Sequence, residues 1–267
     1  MAVRPNGTLQ ALHGGRCVLG AETASFHPGV PLLYADAGLD FVWIDLQHTL
    51  ASLERAAVVV EHARLAGITP LVRVPELRPG LVQALLDNGT QGIILPFVES
   101  PEAVTELVSW CRFHPRGRRS VGSPQLANDF TALSVADHVA HADSDVLVAI
   151  QIESLAGVER IDGIVAVEGL DVVCLGLADL SVSCGVPGDV NNPCVVEAAE
   201  HVITAAATRG VATGVAGFHG RGHDEPPLAT WHRRGVRFFQ LFGDLGLLNE
   251  TVRTVTLKAQ HVLAGLE

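Results

Sequence analysis

Eight short, β-rich apolar runs recur along the chain, separated by segments of helical character. The runs are CVLGAET (17–23), FVWIDLQ (41–47), TPLVRVP (69–75), GIILPFVE (92–99), LVAIQIES (147–154), VVCLGLADL (172–180), VATGVAG (211–217) and FFQLFGD (238–244). Their interiors are almost continuously apolar rather than strictly alternating. Parallel strands covered on both faces read this way.

The intervening segments carry helix signals. Over 52–66 the sequence SLERAAVVVEHARLA places Leu53, Ala56, Ala57, Val60, Ala63 and Ala66 on one stripe, and Gly67 follows as a C-cap. Ser100-Pro101-Glu102 sets out a capping serine, a proline at the first helical position and an acid in the first turn. Asn192-Pro193 repeats that start before VVEAAEHVITAAATRG. Eight strand–helix repeats predict an α/β protein closed into a (β/α)8 barrel. An open doubly wound sheet needs a glycine fingerprint after its first strand, whereas GGRCVLG precedes one. At 267 residues, with no linker rich in Pro, Gly or Ser, residues 1–267 read as one barrel domain. The longest interruption, about 113–146, is expected to add a loop and an extra helix.

Composition excludes several partners. A formal net charge of −11, with no basic run beyond Arg116-Gly117-Arg118-Arg119, argues against nucleic acid and against an anionic membrane surface. No window approaches the roughly 18–20 apolar residues of a membrane helix, and MAVRPNGTLQALHGG lacks the apolar core of a secretion signal. The expected address is the cytoplasm. Five cysteines, Cys17, Cys111, Cys174, Cys184 and Cys194, include no C-x-x-C pair and read as packing thiols in a reducing compartment.

In a barrel the C-terminal strand ends converge on one site. Strand two delivers Asp45, Gln47 and His48, strand three Arg73, strand five Gln151 and Glu153, strand six Asp179 followed by Ser181, and strand eight Asp244. Polar groups inside apolar runs are costly to bury unless paired or functional. Glu153 and Asp179, on adjacent strands, would repel each other and raise each other's pKa. A divalent cation resolves that conflict, and two carboxylates with water and substrate oxygens suit Mg²⁺ or Mn²⁺, with Co²⁺ a further candidate. The equally weighted alternative is that one of the two acids caps a helix, Asp179 before LSVS or Glu153 before SLAG.

Arg73 suits a bidentate grip on a substrate carboxylate, with a structural ion pair to a neighbouring strand, Asp45 among the candidates, as the alternative. His48 is a candidate general base by position, set against eleven other histidines. His219 and His223 in GFHGRGHDEPP stand at metal spacing, but the glycines between them and the following prolines argue against a helix. Gly217, Gly220, Arg221 and Gly222 are a weaker phosphate-loop candidate, and a mobile loop is the preferred reading. Arg116, Arg118 and Arg119 read as a solvated basic patch, or one of them faces substrate.

Six segments, WIDLQH (43–48), PLVRVP (70–75), LLDNGTQGIILPFVES (85–100), PRGRRSVG (115–122), QIES (151–154) and VEGLDVVCLGLADLS (167–181), stand in the register of a known family. Over about residues 17–250 the chain resembles the HpcH/HpaI class II pyruvate aldolases, which act on hydroxy-oxo-diacids and keto-deoxy-sugar acids. The resemblance implies a phosphoenolpyruvate/pyruvate-type (β/α)8 barrel and a homo-hexamer, a trimer of dimers with the last helix exchanged between subunits. It also implies a divalent metal on Glu153 and Asp179, and Arg73 and Gln151 on the pyruvate moiety. Substrate contacts are implied from Gly176, Leu177 and Ala178. His48, oriented by Asp45, is implied as the base acting through a metal-bound water, and Asp87 as a residue reaching a neighbouring subunit's site. The chain departs from the usual pattern at Gln47 (often Glu), in GLADLS (often GPADLS), at Arg119–Gly122 and in the segment after strand seven.

The implied activity is a metal-dependent carbon–carbon lyase that makes a pyruvate-type enolate and adds it to, or releases it from, an aldehyde. Alternatives are oxaloacetate decarboxylation, condensation with a non-aldehyde acceptor, and a non-catalytic barrel binding a 2-oxo acid. A Schiff-base aldolase needs a lysine at the site, and the only lysine, Lys258, lies far from every strand end.

Overall fold

The computed structural model describes residues 3–122, 126–217 and 228–264. Its strands are β1 (Val18–Thr23), β2 (Phe41–Asp45), β3 (Thr69–Arg73), β4 (Gly92–Leu95), β5 (Leu147–Ile152), β6 (Val172–Leu175), β7 (Ala212–Ala216) and β8 (Phe238–Gly243). Each pairs in parallel with the next, and β8 returns to β1, so the barrel closes. The helices, in chain order, are α1 (Gly7–His13), α2 (Val30–Asp36), α3 (Leu53–Ala66), α4 (Pro79–Asp87), α5 (Pro101–Cys111) and α6 (Val135–Asp145). Then come α7 (Leu155–Glu159), α8 (Ile161–Ile164), α9 (Leu177–Ser183), α10 (Pro193–Thr208), α11 (Leu228–Arg233) and α12 (Asp244–Ala264).

The near-continuous apolar runs are explained by two cores. Alternate side chains Val18, Phe41, Trp43, Leu71, Ile94, Leu147, Ala149, Val172, Cys174 and Phe238 fill the barrel interior, joined by Leu9 of α1. The intervening ones, such as Val42, Ile44, Val72, Val148, Ile150 and Val173, meet the surrounding helices. Phe41 and Phe238 stack at 4.2 Å inside the barrel. The Phe41 ring lies where a side chain on β1 would stand, which explains Gly20 on the neighbouring strand.

Helix starts fall where the caps predict. Ser100 accepts from the Ala103 amide and Asn192 from that of Cys194, Gly67 closes α3 with φ +76°, and Ser52, not anticipated as a cap, starts α3 by accepting from the Arg55 amide. The 113–146 interruption holds a 3-10 turn at Leu126–Asn128 and the extra helix α6. Strand ends are shorter than the apolar runs suggest. Pro96 stops β4, and the run 172–180 is β6 followed by α9 rather than one strand. α12 differs from the other long helices because none of its 21 residues is buried.

Candidate active site

Side-chain parity builds the site. On β2, Phe41 and Trp43 point inward, so Asp45 does as well; on β3, Leu71 is followed by Arg73; on β5, Ala149 is followed by Gln151, and Glu153 comes directly after the strand. These four residues therefore form the next layer above the inner core, at the C-terminal rim. All four are buried.

A chain of hydrogen bonds links them. The Arg73 Nε donates to Asp45 Oδ1 at 2.8 Å, and its Nη1 to Gln151 Oε1 at 3.3 Å. Gln151 Nε2 then donates to Glu153 Oε1 at 3.1 Å. The Arg73 guanidinium stacks over Trp43, 5.4 Å from the ring centroid, and its Nη2 lies 3.7 Å from Glu22 Oε2. Burial works against the Arg73 charge, but Asp45, Glu22 and Glu153 outweigh it and hold its pKa above the ordinary arginine value. Asp45 pairs with Arg73, as the structural alternative anticipated, while Nη1 is held by Gln151 and Nη2 faces Glu22.

Asp45 also accepts from the backbone amides of Gln47 (3.0 Å) and His48 (3.3 Å), so what it fixes is the turn that carries His48. The imidazole of His48 stands exposed at the mouth of the barrel. Gln47 Oε1 is buried without a hydrogen-bond partner among the described residues.

Glu153 Oε2 accepts from the Phe97 amide at 3.0 Å. Burial pushes the Glu153 carboxyl up to about 7; the Phe97 amide opposes that shift, and the charge of Asp179 adds to it. Glu153 does not cap the helix that follows, because Ser154 does so by accepting from the Gly157 amide at 3.2 Å. Asp179 sits half-buried in the first turn of α9, whose N-cap, Gly176, makes no side-chain cap bond. Among the described residues the Asp179 side chain makes no hydrogen bond or ion pair, and its charge acts on Glu153. Gly176 has to be glycine here, since a Cβ would lie 2.6 Å from Glu153 Cγ and 2.8 Å from its Cδ.

The donor set suits a hard divalent cation. It offers a buried carboxylate that resists ionisation, a second acid beside it, and only oxygen atoms. Among the described residues no group of three or more His, Cys, Asp or Glu side chains could hold a metal ion. Two protein carboxylates would leave the remaining positions to water and substrate, which is the usual arrangement for Mg²⁺.

Other sequence candidates are placed elsewhere. Asp87 ends α4, five residues before β4 begins, and therefore lies at the rim opposite Glu153, bound by Arg119 Nη2 (3.0 Å) and Gln83 Nε2 (2.6 Å). Arg119 is buried against Phe113, Arg118 stacks on Trp110, and Arg116 approaches Asp143, so none of the three extends a basic patch toward the site. Ser181 is structural: its Oγ donates to the Ala178 carbonyl and accepts from the Gly188 amide. Asp244 clasps the barrel seam, accepting from Thr23 Oγ1, the Ala24 amide and Ser25 Oγ. His219, His223, Gly220, Arg221 and Gly222 lie outside the described residues.

Two participants were missed in the sequence. Glu22 was signalled by parity, because Val18, Gly20 and Glu22 share the inward face of β1. Phe97 carried no residue-type signal. It acts through its backbone, held at φ +50°, a region unusual for a bulky side chain that concentrates at functional sites.

Fold and site together define a barrel enzyme whose C-terminal rim pairs an acidic, cation-ready corner with an anion-ready guanidinium. A model of the HpcH/HpaI aldolase/citrate lyase family matches residues 25–224, and the chain belongs to that family. It is 34% identical over 253 residues, 93% of this chain and 92% of the other, to a 4-hydroxy-4-methyl-2-oxoglutarate aldolase of Chaetomium globosum. It is 30% identical to a hydroxypyruvate/pyruvate aldolase of Roseovarius nubinhibens, covering 95% of this chain and 97% of that one. Among solved structures, an HpcH/HpaI aldolase from Desulfitobacterium hafniense superposes with a TM-score of 0.86 at 32% identity, covering 95% of each chain. The citrate synthase SbnG superposes at 0.85 with 29% identity, covering 98% of this chain and all of that one.

Proposed function

We propose that this chain is a divalent-metal-dependent aldolase that cleaves a 4-hydroxy-2-oxo acid to a pyruvate-type enolate and a carbonyl product, or runs that step in reverse. The observation that carries the reading is the Glu153 carboxyl. It is buried, aimed by the Phe97 amide and Gln151, and set beside Asp179 and within the field of Arg73. Glu153 and Asp179 would hold Mg²⁺ or Mn²⁺. An ion there supplies Lewis-acid polarisation of the 2-oxo group and offsets the charge that develops as the C3–C4 bond breaks.

Arg73 grips the substrate carboxylate, and its bond to Gln151 keeps that grip in register with Glu153. An imidazole nitrogen of His48 accepts the C4 hydroxyl proton, and the C3–C4 electron pair moves into the C2–C3 unit as the carbonyl product leaves. The same imidazole returns the proton in the synthetic direction. Gly176 leaves room for Glu153, and the family resemblance assigns Leu177 and Ala178 to substrate contact beside it. The resemblance also supports a homo-hexamer in which Asp87 serves a neighbouring subunit. The placement of Asp87 at the rim opposite its own Glu153 agrees with that role. No described helix is long and apolar enough to cross a membrane.

The test uses 4-hydroxy-4-methyl-2-oxoglutarate, the compound in the name of the Chaetomium globosum relative. Its cleavage yields two pyruvates, read through lactate dehydrogenase. Metal-dependent pyruvate release, abolished by EDTA, is expected together with metal-dependent deuterium exchange at pyruvate C3. Absence of exchange with either Mg²⁺ or Mn²⁺ overturns the reading. Similarity to a citrate synthase favours a second reading, in which the same enolate condenses with a non-aldehyde acceptor or arises from oxaloacetate. Exchange at pyruvate C3 without aldol cleavage, together with CO2 release from oxaloacetate, would select it.

A further inference from the structure

Outside the rim site, two thiols converge. The Cys194 Sγ lies 2.7 Å from the Cys184 Sγ, and both side chains are half-buried and free. That separation is nearer the ~2.05 Å of a disulfide than the 3.5–4.0 Å at which non-bonded atoms pack. Fixed elements bring the sulfurs together. Cys184 is the C-cap of α9, and its amide bonds the Leu180 carbonyl. Cys194 is the second residue of α10, and its amide bonds the Asn192 Oδ1 that caps the helix.

The intervening loop turns through Gly185 (φ +74°) and Gly188 (φ +83°), conformations that suit glycine. It is stitched to α9 by the Gly188 amide on Ser181 Oγ at 2.9 Å and the Val186 amide on the Ser181 carbonyl at 2.9 Å. The sulfurs therefore meet because two helix ends and the loop between them hold them there.

We propose that Cys184 and Cys194 form a reversible disulfide that ties the end of α9 to the start of α10. A low-molecular-weight disulfide supplies the oxidising equivalents. The Cys194 thiolate attacks it, forming a mixed disulfide and expelling one thiol. Cys184 then attacks the Cys194 sulfur, and the second thiol leaves. One reagent S–S bond breaks and one protein S–S bond forms, while the two protein protons pass to the two released thiols. Burial and its contact with Cys194 push the Cys184 thiol up to about 11. The other cysteines lack such a partner: Cys111 and Cys174 are fully buried, and burial raises both thiols.

The experiment treats the intact protein with oxidised glutathione and maps peptides without reduction. A 184–194 cross-link, reversed by dithiothreitol, is expected. The oxidised protein should melt about 5 °C higher, because the link closes a loop that the unfolded chain would otherwise leave open. Cys184→Ser and Cys194→Ser should each lose the link and the Tm rise while matching the reduced wild type in Tm. A protein that keeps five free thiols, stops at a glutathione adduct, or links another pair overturns the proposal. A 184–194 link that forms without raising the Tm overturns the tethering of α9 to α10.

Discussion

The Glu153 carboxyl lies between the Phe97 amide, the Gln151 side chain and the charge of Asp179, with burial pushing it up to about 7. An unfolded chain releases that proton near 4.3. Between the two values the native state binds the proton more tightly, so stability falls as pH rises through that window. Glu153→Gln keeps the shape and removes the charge. With metal chelated, the variant should melt higher than wild type at pH 8, by roughly 4 °C, and match it near pH 4, where both forms are neutral. C3 deuterium exchange should fall at least about 100-fold. Calorimetry at the two pH values together with the exchange assay checks both halves, and equal melting at pH 8 would sink the first. Gly176→Ala probes the same corner by volume, since the new methyl would crowd Glu153 Cγ and Cδ at 2.6 and 2.8 Å. Its expected signature is lost Mn²⁺ binding by titration calorimetry in a protein whose circular dichroism is unchanged.

Element by element, the barrel seam depends on Asp244, the first residue of α12, which binds Thr23 at the end of β1 and Ala24 and Ser25 just after it. Burial opposes its charge, but hydrogen bonds from Ser25, Ala24 and Thr23 prevail and hold the carboxyl below its ordinary value. A depressed carboxyl contributes stability above the unfolded pKa, near 3.9, and loses it as pH falls through the folded one. Asp244→Asn should therefore melt below wild type at pH 7, with the gap closing in acid. Thermal scans from pH 7 to pH 2.5 check this, and a gap that persists unchanged in acid would refute it. Asp244 was legible as a strand-end acid, but its role as a clasp was not, because its partners lie more than 200 residues away. The elements themselves were legible: Ser100 and Asn192 announced two helices, an apolar stripe closed by Gly67 a third, and apolar runs located eight strands. The runs overshoot because apolarity continues past the last ladder pair into Leu177 and Leu180, which belong to α9. Asp45, Arg73, Gln151 and Glu153 were legible as polar residues at strand ends that converge on one rim. Phe97 was not, because an amide turned by a left-handed backbone leaves no mark in residue type.

At the scale of the whole molecule, α12 is the long helix whose apolar face is left uncovered by the described residues. Leu245, Leu248, Val252, Val255 and Val262 recur at intervals of three, four, three and seven residues, each between 49% and 61% exposed. That spacing draws one stripe down a helix, and it is the seam by which helices associate. The other long helices press their stripes onto the barrel: α10 buries seven residues and α3 five. An apolar stripe of this length left in water favours association, and a second copy of the chain supplies a matching surface by symmetry. The family resemblance points to the same occupant, through exchange of the last helix. Val252→Glu with Val255→Glu places two charges in the middle of the stripe while leaving the barrel strands and the rim residues untouched. The doubly substituted protein should sediment as a smaller species than wild type, with its far-UV circular dichroism preserved. If Asp87 serves a neighbouring site, its turnover should fall in parallel with dissociation, whereas Mn²⁺ affinity should stay within about twofold if, as proposed, Glu153 and Asp179 of one chain hold the ion. Sedimentation velocity, kinetics and calorimetry on the same preparation separate these effects. A variant that sediments like wild type would show that the stripe is not the subunit contact, and one that dissociates with full activity would remove Asp87 from the neighbouring site.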